Sequence, residues 1–278
     1  MAGILVSSSY ALSPAEVAEL WKPIIGWGGY ITASNISADF ETSDDPASNL
    51  GNPSTSYRWT SSSTDTQHVT ALFGSEQYVS AAAIERHNWQ SAGITVSIEG
   101  LPFGGDPNEP TDWVELFEEH VLSDDGARMW RFTRTPLIGL RWKLQGASVP
   151  PFAAVAYCGE HLTLPYGVPP GHVPIKFADI TEHRHVGAQG GDHLGIAIIS
   201  RRRSGNIVQQ FIDPAVYRSK IEPFRLHFRD GGTFFFAWAP ADHPDEVGYC
   251  WRGGDATPTV SQATGLVDIT FPIMAVAL

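Results

Sequence analysis

Cysteine is almost missing from this chain of 278 residues: two thiols, Cys158 and Cys250, allow neither a disulfide framework nor a four-thiolate metal site. They read as free thiols in a reducing compartment. No apolar run approaches the about 20 residues of a membrane-spanning helix, and the first one, Gly3 to Val6, is too short for the core of a secretory signal. Charge is scarce, at 17% Asp, Glu, Lys and Arg, and basic charge scarcer: 18 Lys and Arg stand against 30 Asp and Glu, a formal net charge of −12. That balance repels phosphate backbones and anionic membrane surfaces, so specific nucleic-acid binding is not expected. The acidity is uneven, with 8 basic and 18 acidic side chains in residues 1–158 against 10 and 12 in residues 159–278.

Catalytic signatures are missing too. The sequence has no Gly-x-Ser-x-Gly elbow, no Walker loop, no His-Glu-x-x-His and no Gly-x-Gly-x-x-Gly between strand and helix, so an enzyme is not the expected class. Neighbouring acids such as Glu118-Glu119 and Asp124-Asp125 read as solvated surface, because paired-acid glycosidase chemistry needs carboxylates across a cleft.

What is present points to β structure. Twenty-seven glycines and 20 prolines keep helical periodicity short, while β-rich runs recur between turn signals. Strands are expected at residues 30–33, 68–73, 79–86, 94–99, 129–133, 138–144 and 153–157, a sandwich-like set, and 112–122 leans to strand. A short helix should begin at Pro14, with Ser13 as N-cap and Glu16 closing a capping box. Residues 160–191 are rich in Pro, Gly and His, which places a boundary near 160. Beyond it, residues 194–200 and 206–212 read as a hairpin with Arg201–Gly205 at its tip. Asp213-Pro214 opens a helix that Pro223 kinks and Gly231-Gly232 ends. A strand is expected at 233–239, and the alternation of Val267, Ile269, Phe271 and Ile273 predicts a half-buried last strand whose Pro272 suits an edge or bulge.

Few side chains suggest ligands. His183, His185 and His193 lie within eleven residues and would chelate a transition metal if they converged, but no Cys or firm acidic partner accompanies them. Arg201, Arg202 and Arg203 form the one dense basic run. Asp242, Asp245 and Glu246 make a compact acidic loop in the same half, a natural counterpart on a neighbouring subunit.

Two resemblances organise these features. Residues 31–61, with Asp44-Asp45-Pro46-Ala47-Ser48-Asn49-Leu50, Asn52-Pro53-Ser54-Thr55 and Arg58-Trp59, followed by VSAAAIERHNWQSAGITVSIEG (79–100) and GLRWKL (139–144), resemble discoidin-like (galactose-binding-like) jelly-roll domains. The second half, with LGIAIISRRR, IDPAVYRSKIEPF, FFFAWAPADHPDEVGYCW and LVDITFPIMAV, is similar to distal-tail-like structural proteins of the tail tip of long-tailed bacteriophages. The first resemblance implies sugar binding at loops on one end of a sandwich, often with a structural calcium, for which Asp44, Asp45 and Asn49 offer hard oxygen ligands. Trp89 and Trp113 would suit stacking on a pyranose, although no sugar site is assignable residue by residue.

The expected fold is therefore mainly β: a discoidin-like sandwich in 1–158, with 1–29 as an arm carrying a short helix, then a ring-forming distal-tail-like domain in 159–278 with one or two short helices. The resemblance implies a virion protein assembled in the host cytoplasm. It would form a closed ring, a hexamer or a trimer, around the tail axis and join the tube to hub or fibre proteins. The alternative is a carbohydrate- or receptor-binding module for host-surface glycans. No cofactor is expected.

Overall fold

A computed structural model describes residues 4–6, 12–187 and 193–277, with the side chains of 4–6, 186, 187, 193 and 194 undescribed. Part of the run at Gly3–Val6 and the imidazole of His193 thus lie outside the described residues. The fold is mainly β, in two large sheets and one small ribbon.

The first sheet contains β1 (Ile4–Val6), β3 (Ile36–Ala38), β5 (Gln67–Glu85), β6 (Thr95–Leu101), β7 (Val114–Val121), β8 (Arg128–Gln145) and β10 (Val155–Gly159). The path runs β10-β5-β8-β6-β7, with β3 beside β5 and β1 beside β8, and every pairing is antiparallel except β1 with β8. The ribbon pairs β4 (Trp59–Thr60) with β9 (Phe152–Ala153). The second sheet contains β2 (Ile24–Gly26), β11 (His161–Thr163), β12 (Asp179–Gly187), β13 (His193–Ile212), β14 (Phe234–Ala237), β15 (Val247–Arg252), β16 (Thr259–Val260) and β17 (Val267–Ala275). Its order is β11-β2-β14-β15-β17-β13-β12, with β16 beside β17. The chain passes from the first sheet to the second between Gly159 and His161. Ile24–Gly26, read from sequence as part of an amino-terminal arm, is a strand of the second sheet, bonded to β14 and β11.

Two sequence runs show why the sheets stack. In β5, Ala82 and Ile84 enter the core of the first sheet with Trp59, Trp130 and Trp142, while Ala81 and Ala83 face the second sheet. In β14, Phe234 and Phe236 enter the second core, and Phe235 and Ala237 meet those alanines with Met129, Tyr157 and Tyr249. Strands buried on both faces carry continuous apolar runs, and alanines on β5 let the sheets approach closely. Phe224, Phe228 and Phe271 complete the second core, Phe224 lying 5.0 Å from Phe234 and 5.1 Å from Phe271. Each such ring contributes roughly 1.5–3 kcal/mol by burial.

Local signals set the helices. α1 (Pro14–Ala18) has the full capping box between Ser13 and Glu16. Asp213 accepts from the amides of Ala215 and Val216 to start α2 (Pro214–Val216). A π turn at Tyr217–Ile221 leads into α3 (Glu222–Arg229); Pro223, lacking an N–H, accounts for the widened turn before it. No helix among the described residues is long and apolar enough to cross a membrane.

Several expected strands differ. Residues 30–33 are irregular, and the strand there is β3. The pairs expected at 68–73 and 79–86, and at 129–133 and 138–144, are each one long strand, β5 and β8, with a register shift where a break was read. The tip expected at Arg201–Gly205 is the middle of β13: Arg201, Arg202 and Arg203 pair with Thr181, Ile180 and Asp179, and residues 188–192 lie outside the described residues. β17 buries Val267, Ile269, Phe271, Ile273 and Ala275 in alternation, yet it is interior, between β15 and β13. Pro272 is tolerated because β15 pairs only as far as Ile273, after which Gly253 N donates to the Pro272 carbonyl.

Candidate functional site

At the end of β5 the chain turns sharply at Arg86, whose φ of +52° is left-handed and rare for a long side chain. The next residue, His87, is buried: its Nε2 donates to the Gly126 carbonyl at 2.9 Å, and its Nδ1 accepts from Trp89 N at 3.1 Å. Burial, then the nearby charge of Arg128, pushes its pKa down to about 4, so the ring is neutral. Asp125, 3.9 Å from His87 Nδ1, accepts from the amides of Gln90 (2.9 Å) and Ser91 (3.1 Å).

The facing wall comes from the segment between β3 and β4. Arg58 Nε lies 3.2 Å from Asp45 Oδ2, which also accepts from Thr60 Oγ1 at 2.8 Å. Those bonds, Thr60 foremost, hold the Asp45 carboxyl below its ordinary range. The Arg58 guanidinium sits 4.9 Å over the Phe152 ring, and Arg86 Nη1 reaches across to the Thr55 carbonyl at 3.1 Å. Together these residues line an open cleft of about 410 Å³, within the roughly 300–1,000 Å³ of small-molecule sites. Fixed donors, two carboxylates and an aromatic ring with Arg58 over one face converge there. Two clefts of similar volume, about 430 and 440 Å³, are lined mainly by apolar, Gly and Pro residues. Their acids are engaged: Asp213 caps α2, and Asp179 pairs with Arg203.

A second polar crevice lies between the sheets, lined by Glu85, Asp124, Arg128, Lys176, Arg203 and Asp245. Glu85 is 1% exposed, and burial pushes its pKa up to about 8, with Arg203 opposing. Arg128, also 1% exposed, bonds to Asp124 and Ser123. Consecutive residues thus serve different cavities: Glu85 and Asp124 the crevice, Arg86 and Asp125 the cleft.

The residues singled out in the sequence are dispersed. Asp45 is committed to Arg58 and Thr60, Asn49 donates its amide to the Arg58 carbonyl at 2.8 Å, and Asp44 is exposed. A carboxylate already held by a guanidinium does not suit a cation cage, so this set does not fit calcium. Trp89 and Trp113 are buried, not available for stacking on a sugar. Asp125, read as solvated surface, is a cleft residue. His183 and His185 are exposed on β12 with their Nε2 atoms 3.1 Å apart; no group of three or more His, Cys, Asp or Glu among the described residues is placed to hold a metal. Arg201 and Arg202 are exposed, whereas Arg203 bonds to Asp179 and shares the inter-sheet crevice with Asp245. Glu246 accepts from Trp238 Nε1, and Asp242 is exposed. Ser80 Oγ lies 2.8 Å from His161 Nδ1, a contact like that of a nucleophile and its base. Burial pushes that His down to about 3, however, far too weak a base for neutral pH.

Sequence reading missed Arg58, Arg86, His87, Asp125 and Phe152 as one site. The available signal was Arg86-His87-Asn88, three polar residues directly after the run 79–85 of β5, which is buried on both faces.

No family model and no curated protein matches the chain. Solved structures do. Chitosan-binding module 1 from the chitosanase/glucanase of Paenibacillus sp. IK-5 aligns at 18% identity and TM-score 0.41, over 48% of this chain and 98% of that one. The family 32 carbohydrate-binding module of NanJ from C. perfringens, solved with galactose, aligns at 14% and 0.40, over 49% and 98%. That of AlyQ, solved with 4,5-unsaturated mannuronic acid, aligns at 16% and 0.38, over 48% and 96%.

Proposed function

We propose that the protein binds carbohydrate, without turnover, in the cleft framed by Asp45, Arg58, Arg86, Asp125 and Phe152. The observation that carries this reading is the convergence of hydrogen-bonding groups already locked by their neighbours, beside one aromatic ring, in an open cavity. Sugars present hydroxyls around an apolar face, and groups fixed before binding reduce the ordering cost of capture. Titration of the full chain with mono- and oligosaccharides, followed by calorimetry and NMR, tests it. Arg58→Ala should weaken the sugar that binds by tenfold or more while the chain stays folded. Absence of binding across neutral and acidic sugars, or an Arg58→Ala variant that binds as the parent does, overturns it.

A second reading, a ring-forming component of a phage tail tip, is favoured by one feature. Where β12 and β13 pair, Ile180, Ile196, Ile198 and Ile199 are all exposed, and long edge strands with apolar side chains readily pair with another chain. Arg201 and Arg202 on the same strand would then meet an acidic loop such as Asp242–Glu246 of a neighbour. Mass measurement by light scattering should give a closed oligomer, weakened by Arg202→Glu more at low salt than at high salt. A strict monomer at high micromolar concentration that forms no ring in assembled particles overturns it.

A further inference from the structure

We infer that the sugar taken by this cleft is acidic, a hexuronic acid residue whose carboxylate is gripped by Arg86; the inference rests on the carbohydrate-binding reading. Side chains alternate between the two faces of β5. Ala82 and Ile84 point into the first core, so an extended Arg86 would follow them there. The left-handed φ of +52° turns it out into the cleft, where it is exposed. A non-glycine residue held in that region costs on the order of 1–3 kcal/mol, and such strain gathers at ligand sites.

The pairing of the charged groups in the cleft singles out Arg86. Arg58 is matched by Asp45 at 3.2 Å. His87 is neutral, its Nδ1 taken by Trp89 N. Asp125 holds the amides of Gln90 and Ser91 with Oδ1 and has no Lys or Arg partner among the described residues, so Arg86 must hold an anion against it. Arg86 has no ion pair among the described residues; its bond to the Thr55 carbonyl engages one of five guanidinium N–H groups and fixes the direction of the rest. An oriented guanidinium with free donors matches a carboxylate in two-point geometry and in charge, and the hydroxyls of a neutral sugar bring no charge to that contact. In a chain of net charge −12, a local cation offsets the long-range repulsion of an anionic ligand.

The test uses matched pairs on the full chain: oligomers of galacturonic, glucuronic and mannuronic acid beside those of galactose, glucose and mannose, titrated by calorimetry at two salt concentrations. In at least one pair the acid should bind tenfold or more tighter than its neutral partner, with an advantage that shrinks as salt rises. Arg86→Gln should weaken the acid at least tenfold more than it weakens the neutral partner, which removes the advantage, and Arg86→Lys should keep part of it; unchanged melting temperatures show that the variants fold. Neutral members that bind as well as the acids, or Arg86→Gln weakening both alike, overturn the inference and leave the carbohydrate reading standing. No binding by any member overturns both.

Discussion

Tyr249 donates its phenolic O–H to the carbonyl of Pro53 at 2.7 Å, tying β15 of the second sheet to the loop that forms one wall of the cleft, across 196 positions of sequence. Burial pushes the phenol up to about 12, so it remains a donor at any ordinary pH. Tyr249→Phe should cost about 1 kcal/mol, and up to about 3 if the Pro53 carbonyl is left dry. Thermal melting should show a drop of a few degrees, and an unchanged melt would mean that water replaces the phenol at no cost.

Glu85 should make stability fall as pH rises. Its folded pKa of about 8 lies above the ordinary 4.5, so its favourable contribution is complete below pH 4.5 and is lost progressively up to about pH 8. Glu85→Gln should therefore melt close to the parent at pH 5 and clearly above it at pH 8. Arg128 and Arg203 keep their own carboxylate partners, Asp124 and Asp179, in the variant. A melting difference that is flat with pH would show that Glu85 is ionised in the folded chain throughout.

Gly51 holds the cleft loop against the chain before β3. A Cβ there would lie 2.4 Å from both Ala33 N and the Thr32 carbonyl carbon, backbone atoms that cannot swing away. Gly51→Ala should cost about 1–3 kcal/mol and weaken ligand binding, as melting and titration of one sample would show. Retention of both would mean that the loop shifts as a unit.

Cys158 and Cys250 are fully buried, one in each core, and burial pushes both thiols well above their ordinary range. Neither should react with a thiol reagent while the chain is folded, and both should react on denaturation. Fast labelling of the native protein would contradict the packing at one of these positions.

Local chemistry was the most legible part of the fold. The Ser13–Glu16 box, the Asp213 cap and the alternation of β17 are each contained in a few residues. The long strands were not, because turn signals misled: residues 74–76 of β5 are Gly, Ser and Glu, exposed and polar, yet the backbone stays extended through them. At residues 196–199 of β13 no buried face imposes a period of two, so the arginines that follow looked like a tip. The cleft was least legible. Arg58, Arg86, Asp125 and Phe152 come from distant positions, and only the folding of β5 and β8 against the β4–β9 ribbon brings them together.

The place of Arg86 at the end of β5 has a mechanical consequence. The strand is 19 residues long and hydrogen-bonded to β8, β10 and β3. A tethered ligand pulling on the guanidinium along that strand would load it in shear, with many ladder bonds resisting together, where a pull across an edge would peel them one by one. Attachment through Arg86 would thus draw on the whole first sheet as its anchor.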